Sequence, residues 1–156
     1  LIAALSGNCR KALLQNTRQM NLIRQKPELL PNAIEEMLRF DPPMPSAVRI
    51  AAEDMTVAGC SVTKGETLWA SIAGANRDPA VHPEPDQFDV QRADVHHFAF
   101  GGGDRACLGA QLARIEAQEA IFGLIVRFEE IETSPQGWEF ATLKNIRTLK
   151  NFWIRT

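Results

Sequence analysis

A cysteine at the mouth of a helix, directly behind a flexible glycine-rich turn, is a thiol placed to ionise. FAFGGGDRACLG, Phe98 to Gly109, has that layout around Cys107. Exposed N–H groups and the macrodipole at a helix start lower a thiol's pKa, and Arg105 adds positive charge two residues away. Cys107 is therefore a candidate metal ligand or nucleophile. The glycines Gly101 to Gly103 let the backbone come close to a large flat ligand, and free N–H groups there can hydrogen-bond a sulfur. A small buried cysteine beside an ordinary turn fits the same spacing, because free cysteine is commonly core.

Three sharper arrangements compete for these residues. Gly101, Gly103 and Ala106 are spaced like a dinucleotide-binding fingerprint, yet the preceding DVHHFAF is a poor buried strand and no βαβ unit surrounds it. A nucleophilic pair of Cys107 with His96 or His97 would need an orienting group and an oxyanion hole, which the pattern does not supply. A metal site built from His96, His97 and Cys107 lacks familiar ligand spacing. Elsewhere, Glu36 and Arg39 lie three apart in NAIEEMLRF with Ile34, Met37 and Leu38 on the opposite face. Periodicity alone predicts an exposed pair of small energetic value. Arg49, inside the β-favouring run AVRIAA, reads by itself as a solvent-facing strand position.

Helices at both ends and short β runs between them must hold these groups. Good helix formers dominate from Leu1 to Lys26, with Gly7-Asn8 as a weak point, so one helix or two are expected there. Pro31 suits the first turn of the next helix, which runs to about Phe40 and ends at DPPMP. AVRIAA, MTVAG, CSVTKG and ETLWASIAG read as hairpin strands of a small sheet from about Ala47 to Ser71, with Leu68, Ala70 and Ile72 forming one face. Residues 76–97 are irregular and rich in Asp, Pro and His, a length that usually marks a functional loop. A long helix is expected from Cys107 to about Val126, with Leu108, Leu112, Ile115 and Phe122 at helical spacing. The tail suggests a terminal β-hairpin turning at Pro135-Gln136-Gly137.

The 156 residues carry 17 Lys plus Arg against 19 Asp plus Glu, and 45% are hydrophobic, the balance of a globular chain able to bury a core. A net charge of −2 with both signs scattered argues against nucleic acid or an anionic membrane as the main partner. Apolar stretches such as Leu1 to Leu5 and Ala120 to Val126 fall far short of the roughly 18 residues a membrane span needs. Cys9, Cys60 and Cys107 are odd in number and far apart, which fits a reducing compartment better than a disulfide framework or a zinc knuckle. The chain opens at Leu1 with neither methionine nor a signal-peptide layout, so the expected N-terminus lies upstream.

Taken together, these segments resemble the C-terminal part of a cytochrome P-450, the haem-thiolate monooxygenase family, of the soluble bacterial type. The family's haem loop, Phe-x-x-Gly-x-x-x-Cys-x-Gly, is met by Phe100, Gly103, Cys107 and Gly109. Its Glu-x-x-Arg is met by Glu36 and Arg39, within NAIEEMLRFDPP, which is similar to the K helix and its exit. ANRDP at Ala75 to Pro79 and PDQFDVQR at Pro85 to Arg92 resemble the segments before the haem loop, while the tail from Glu129 onward matches least.

The resemblance implies an α+β architecture: the end of the central helix, the J and K helices, a small β-sheet, a meander, the haem loop, the long L helix and a terminal hairpin. Residues 1–156 would be the C-terminal haem-binding portion of a single domain. Cys107 would be the catalytic residue and metal ligand, an axial thiolate whose electron donation favours O–O cleavage in haem b. Arg49, His97, Phe100, Gly101, Gly103, Arg105 and Gly109 would contact the cofactor, the two arginines at its propionates and Phe100 on the sulfur side of the ring. Glu36 and Arg39 would be a buried structural pair. Gln87 stands where many members carry an arginine, leaving Arg92 as the substitute. The chain opens where the central helix ends, so the acid-alcohol pair that delivers protons to oxygen is expected upstream, with most substrate contacts.

The implied activity is insertion of one oxygen atom of O2 into an apolar small molecule touching Pro43 to Val48 and Ile146 to Leu149. Electrons would come indirectly from NAD(P)H through a ferredoxin or flavodoxin-type partner, in the cytoplasm. A non-catalytic haem-binding remnant, or a truncated chain without activity of its own, is the alternative expectation.

Overall fold

The structure, a computed structural model, describes residues 1–141, 143 and 145–156. Helix α1 spans Ile2–Gln15 and α2 spans Thr17–Gln25. Gly7-Asn8 does not interrupt α1. Gly7 faces Leu149, whose side chain would lie 3.5 Å from an added Cβ. Asn8 is buried and donates from Nδ2 to the carbonyls of Asp41 (3.3 Å) and Arg147 (3.0 Å). Tertiary partners thus compensate two poor helix formers, and the break falls at Asn16, whose Nδ2 caps the Ala12 carbonyl at 2.8 Å. A single 3₁₀ turn at Pro27–Leu29 leads into α3, Leu30–Phe40, with Pro31 in its first turn as expected.

The β region is two separate antiparallel pairs rather than one sheet. Strand β1 (Ser46–Ile50) pairs with β4 (Thr67–Ser71), placing Val48 opposite Trp69 and Arg49 opposite Leu68. Between them, β2 (Met55–Val57) pairs with β3 (Cys60–Val62). The predicted buried face of β4 is not formed: Leu68 is half-buried, Trp69 and Ala70 are exposed, and Ile72 already belongs to the short helix α4, Ile72–Ala75. Two strands with no layer across them have nothing to bury against.

Helix α5 spans Ala110–Arg127, three residues later than its expected start. Its buried stripe is Ala113, Ala117, Ile121 and Ile125, at successive i, i+4 positions, against α1 and α3. Leu108, Leu112, Ile115 and Phe122, which periodicity put on the core side, are all exposed. Ala113 and Ala117 let the helix backbones approach closely, Ile121 and Ile125 continue the contact, and Leu112, Ile115 and Phe122 are left on the flank. The core joins Leu5, Leu13, Ile34, Met37 and Leu38 to Phe88 and Val90 of the irregular segment. Strands β5 (Glu132–Phe140) and β6 (Leu149–Arg155) form the terminal hairpin. Pro135-Gln136-Gly137 is a register shift inside β5, with Gly137 at φ +64, and not the turn.

Candidate functional site

The Cys107 segment is fixed through its backbone. Phe98 donates its N–H to Asn76 Oδ1 (2.8 Å), Gly101 to the Phe98 carbonyl (2.8 Å), and Cys107 to the Phe100 carbonyl (2.8 Å). Gly101 and Gly103 sit at φ +73 and +62, conformations that side chains rarely tolerate, which is what the glycine run is for. The Cys107 carbonyl accepts from Ala110 as α5 begins (3.2 Å). The thiol is exposed on the wall of a cavity of about 620 Å³. Leu5, Leu38, Met44, Phe100 and Leu112 contribute apolar wall, and the guanidinium groups of Arg49 and Arg105 are its two cations. Arg49 spends one N–H on its neighbour's carbonyl, Val48 O at 2.8 Å, and is otherwise exposed.

The other cysteines do not compete. Cys9 is buried, and desolvation pushes its thiol up to about 12, while Cys60 is exposed on β3 far from these walls. The dinucleotide arrangement fails because every strand pair among the described residues is antiparallel. No group of three metal-ligating side chains is found among them either.

Glu36 and Arg39, predicted exposed by periodicity, are completely buried. Their fork is bidentate, Nε to Oε2 at 2.7 Å and Nη2 to Oε1 at 2.9 Å. The remaining Arg39 donors reach the carbonyls of Asn76 (3.0 Å), Pro85 (2.9 Å) and Gln87 (3.2 Å). Glu36 also accepts from the Asp89 N–H (3.0 Å) and pairs with Arg92 Nε (3.2 Å). Arg92 therefore does enter the network where Gln87 carries only backbone contacts. Buried His82 has its pKa lowered by desolvation and by Arg39 and Arg92. One helix thus ties down residues 76–92 before the chain reaches the cysteine.

His97, Glu35 and Arg114 form a second cluster, and the last two have no counterpart in the motifs. Arg114 on α5 forks onto Glu35 at 2.7 and 2.8 Å, and His97 Nε2 lies 3.1 Å from Glu35 Oε2. His97 Nδ1 accepts the Ala99 N–H at 3.2 Å. His97 is thus held by protein partners, and neither His97 nor Gly103 is among the residues that line the cavity. The signal for this cluster was present in the pair Glu35-Glu36: adjacent helix positions point about 100° apart, so each must serve a different neighbour. Burial alone would raise the Glu35 carboxyl, but hydrogen bonds from His97 and Arg114 outweigh it and hold the pKa down to about 2.

A folded-state pKa below the ordinary glutamate value of 4.5 means that Glu35 stabilises the fold at higher pH and loses that contribution as pH falls from about 4.5 toward 2. In denaturant titrations, Glu35→Gln should be less stable than wild type at pH 7, with the gap closing across that window. A gap independent of pH would refute it.

The sequence profile described as Cytochrome P450 matches residues 4–143. The chain belongs to the cytochrome P450 family. It is similar to the Biotin biosynthesis cytochrome P450 of Bacillus subtilis (strain 168), 36% identical over 146 residues, which are 94% of this chain and 37% of that protein. It is 48% identical over 118 residues to Nocardicin C N-oxygenase of Nocardia uniformis subsp. tsuyamanensis, covering 74% of this chain and 30% of the relative. The crystal structure of CYP109B1 from Bacillus subtilis superposes with a TM-score of 0.93 at 37% identity, covering 98% of this chain and 42% of that one. The chain therefore spans less than half the length of these P450 relatives, and its α+β arrangement is that of the family. No helix among the described residues is long and apolar enough to cross a membrane.

Haem is the group this family uses, and the cavity suits it. A flat apolar macrocycle with a carboxylate-bearing edge needs apolar walls, cations at one rim and a soft donor for iron, and the wall supplies Leu38, Met44 and Leu112, two arginines and one thiol. Gly109 lines the same space, and an added Cβ there meets nothing within 4 Å.

Proposed function

We propose that residues 1–156 form the C-terminal, haem-binding portion of a single cytochrome P450 domain, and that the whole domain is a haem-thiolate monooxygenase. The supporting observation is one thiol, Cys107, opening onto an apolar cavity whose basic side chains, among the described residues, are Arg49 and Arg105. Cys107 would hold the haem iron through its thiolate, Arg49 and Arg105 would hold the haem carboxylates, Phe100 would pack against the ring, and Gly101 and Gly109 would permit close approach. Gly103 serves the turn. When bound, haem supplies the activation of O2, so that one oxygen atom enters a C–H or C=C bond of an apolar small molecule. The chain's own part is to hold that ring, keep water from its apolar faces and present Pro43, Met44 and Ala47 toward the substrate side.

Electrons come from NAD(P)H through a ferredoxin or flavodoxin-type donor, and the site of action is the cytoplasm. The chain spans less than half the length of its P450 relatives, and the flank of α5 exposes apolar side chains. The test is the full-length protein, haem-loaded and reduced under carbon monoxide, then supplied with a donor and an apolar substrate in labelled O2. A thiolate-type Soret band and one labelled oxygen in product are expected. Haem uptake without turnover would instead leave a non-catalytic remnant.

Arg49 gives a separate prediction. A charge-assisted contact contributes roughly 1.5–3 kcal/mol, so Arg49→Ala should lose haem to apomyoglobin about ten-fold faster or more. An unchanged rate would mean that Arg49 merely faces water.

A further inference from the structure

We propose that Glu35 is a positioning residue for the Cys107 loop, acting through His97 and Arg114 on Phe100. It rests on the haem-thiolate reading above and adds a group outside both P450 motifs. Three segments meet at this one carboxylate: α3 supplies Glu35, the loop supplies His97, and α5 supplies Arg114.

Both partners then close on the same ring. The Arg114 guanidinium lies 4.7 Å from the Phe100 centroid and the His97 ring 5.9 Å from it, tilted by 58°. A guanidinium over an aromatic face is attracted to it, and an arginine pinned by a two-pronged carboxylate contact cannot leave that face. His97 adds a backbone hold. Because its Nδ1 accepts the Ala99 N–H, the hydrogen of the neutral ring sits on Nε2 and is donated to Glu35, which fixes ring orientation and tautomer together. Phe100 in turn accepts the Cys107 N–H through its carbonyl. The path from Glu35 to the cysteine backbone therefore passes only through direct contacts, and Phe100 is also cavity wall.

The division of labour between neighbours is sharp. Glu36 faces residues 76–92 and is completely buried, whereas Glu35 faces the cysteine side and is only partly buried. Removing Glu36 strands buried charge; removing Glu35 frees the partly exposed Arg114 and takes from the buried His97 ring its Nε2 partner. The consequence is a loosened cysteine loop in a folded protein.

The experiment uses full-length, haem-loaded protein. Wild type, Glu35→Gln, Arg114→Gln and the double variant are reduced under carbon monoxide, and haem loss to apomyoglobin is timed. Groups that orient a metal's ligands typically change metal affinity about 10–100-fold. Glu35→Gln is therefore expected to lose haem at least about ten-fold faster and to shift part of the Soret band off the thiolate position, with far-UV circular dichroism unchanged. Arg114→Gln should match it, and the double variant should do no worse than either, since all act through one clamp. A wild type without the thiolate band overturns the monooxygenase reading and this inference with it. A wild type with the band overturns this inference alone if Glu35→Gln is spectrally silent or if the two losses multiply. Should Glu35→Gln not fold, Arg114→Lys, which keeps the charge and removes the fork, must reproduce the spectral shift or the inference fails.

Discussion

Glu36→Ala is expected to cost the full-length protein about 3–5 kcal/mol of folding stability, the loss typical of breaking a buried ion pair. The magnitude follows from what remains. Arg39 is completely buried and would keep its three carbonyl acceptors, at 2.9–3.2 Å, but have no counter-charge. Arg92 loses its carboxylate as well, and the Asp89 N–H loses its acceptor. Glu36→Gln keeps the volume and one acceptor, so its loss should be intermediate. Denaturant unfolding monitored by circular dichroism checks both. A loss below about 0.5 kcal/mol would place the pair with ordinary surface contacts and contradict its burial.

Cys107→Ala is expected to abolish monooxygenation in the full-length protein while leaving its secondary structure intact. The thiol is exposed and has no packing role, so truncating it removes little stability. Its proposed work is entirely as an iron donor. Replacing groups that only orient a ligand costs roughly 10–100-fold in metal affinity, and loss of the ligand itself must exceed that. Haem retention should fall by more than about 100-fold on that scale, and the reduced carbonyl complex of any haem retained should lack the thiolate Soret position. Cys60→Ala, on a strand remote from the cavity, serves as the control that thiol loss elsewhere changes nothing. An unchanged Soret position in Cys107→Ala would disprove the assignment.

Much of the fold is legible along the chain. Pro31 opens α3, DPPMP follows its end, Gly101 and Gly103 take the positive φ their positions demand, and the haem-loop spacing delivers Cys107 to a cavity wall. What misleads is periodicity wherever the partner is not local. On α5 Leu112, Ile115 and Phe122 were expected inward, yet Ala113, Ala117, Ile121 and Ile125 make the contact. On α3 the charges were expected outward, yet Glu36 and Arg39 are buried because four backbone groups from residues 76–92 converge with the Arg92 side chain to satisfy them.

By itself the sequence determined the order of elements, the motif residues and the chemistry a thiol behind three glycines can offer, because these depend on neighbours within a turn or a short loop. Only the tertiary structure decided which charges are buried, that His97 turns to Glu35, and that Arg114 grips Phe100. Those outcomes join residues 62 and 79 positions apart, and no local rule of spacing encodes which distant carboxylate a free guanidinium or imidazole will find.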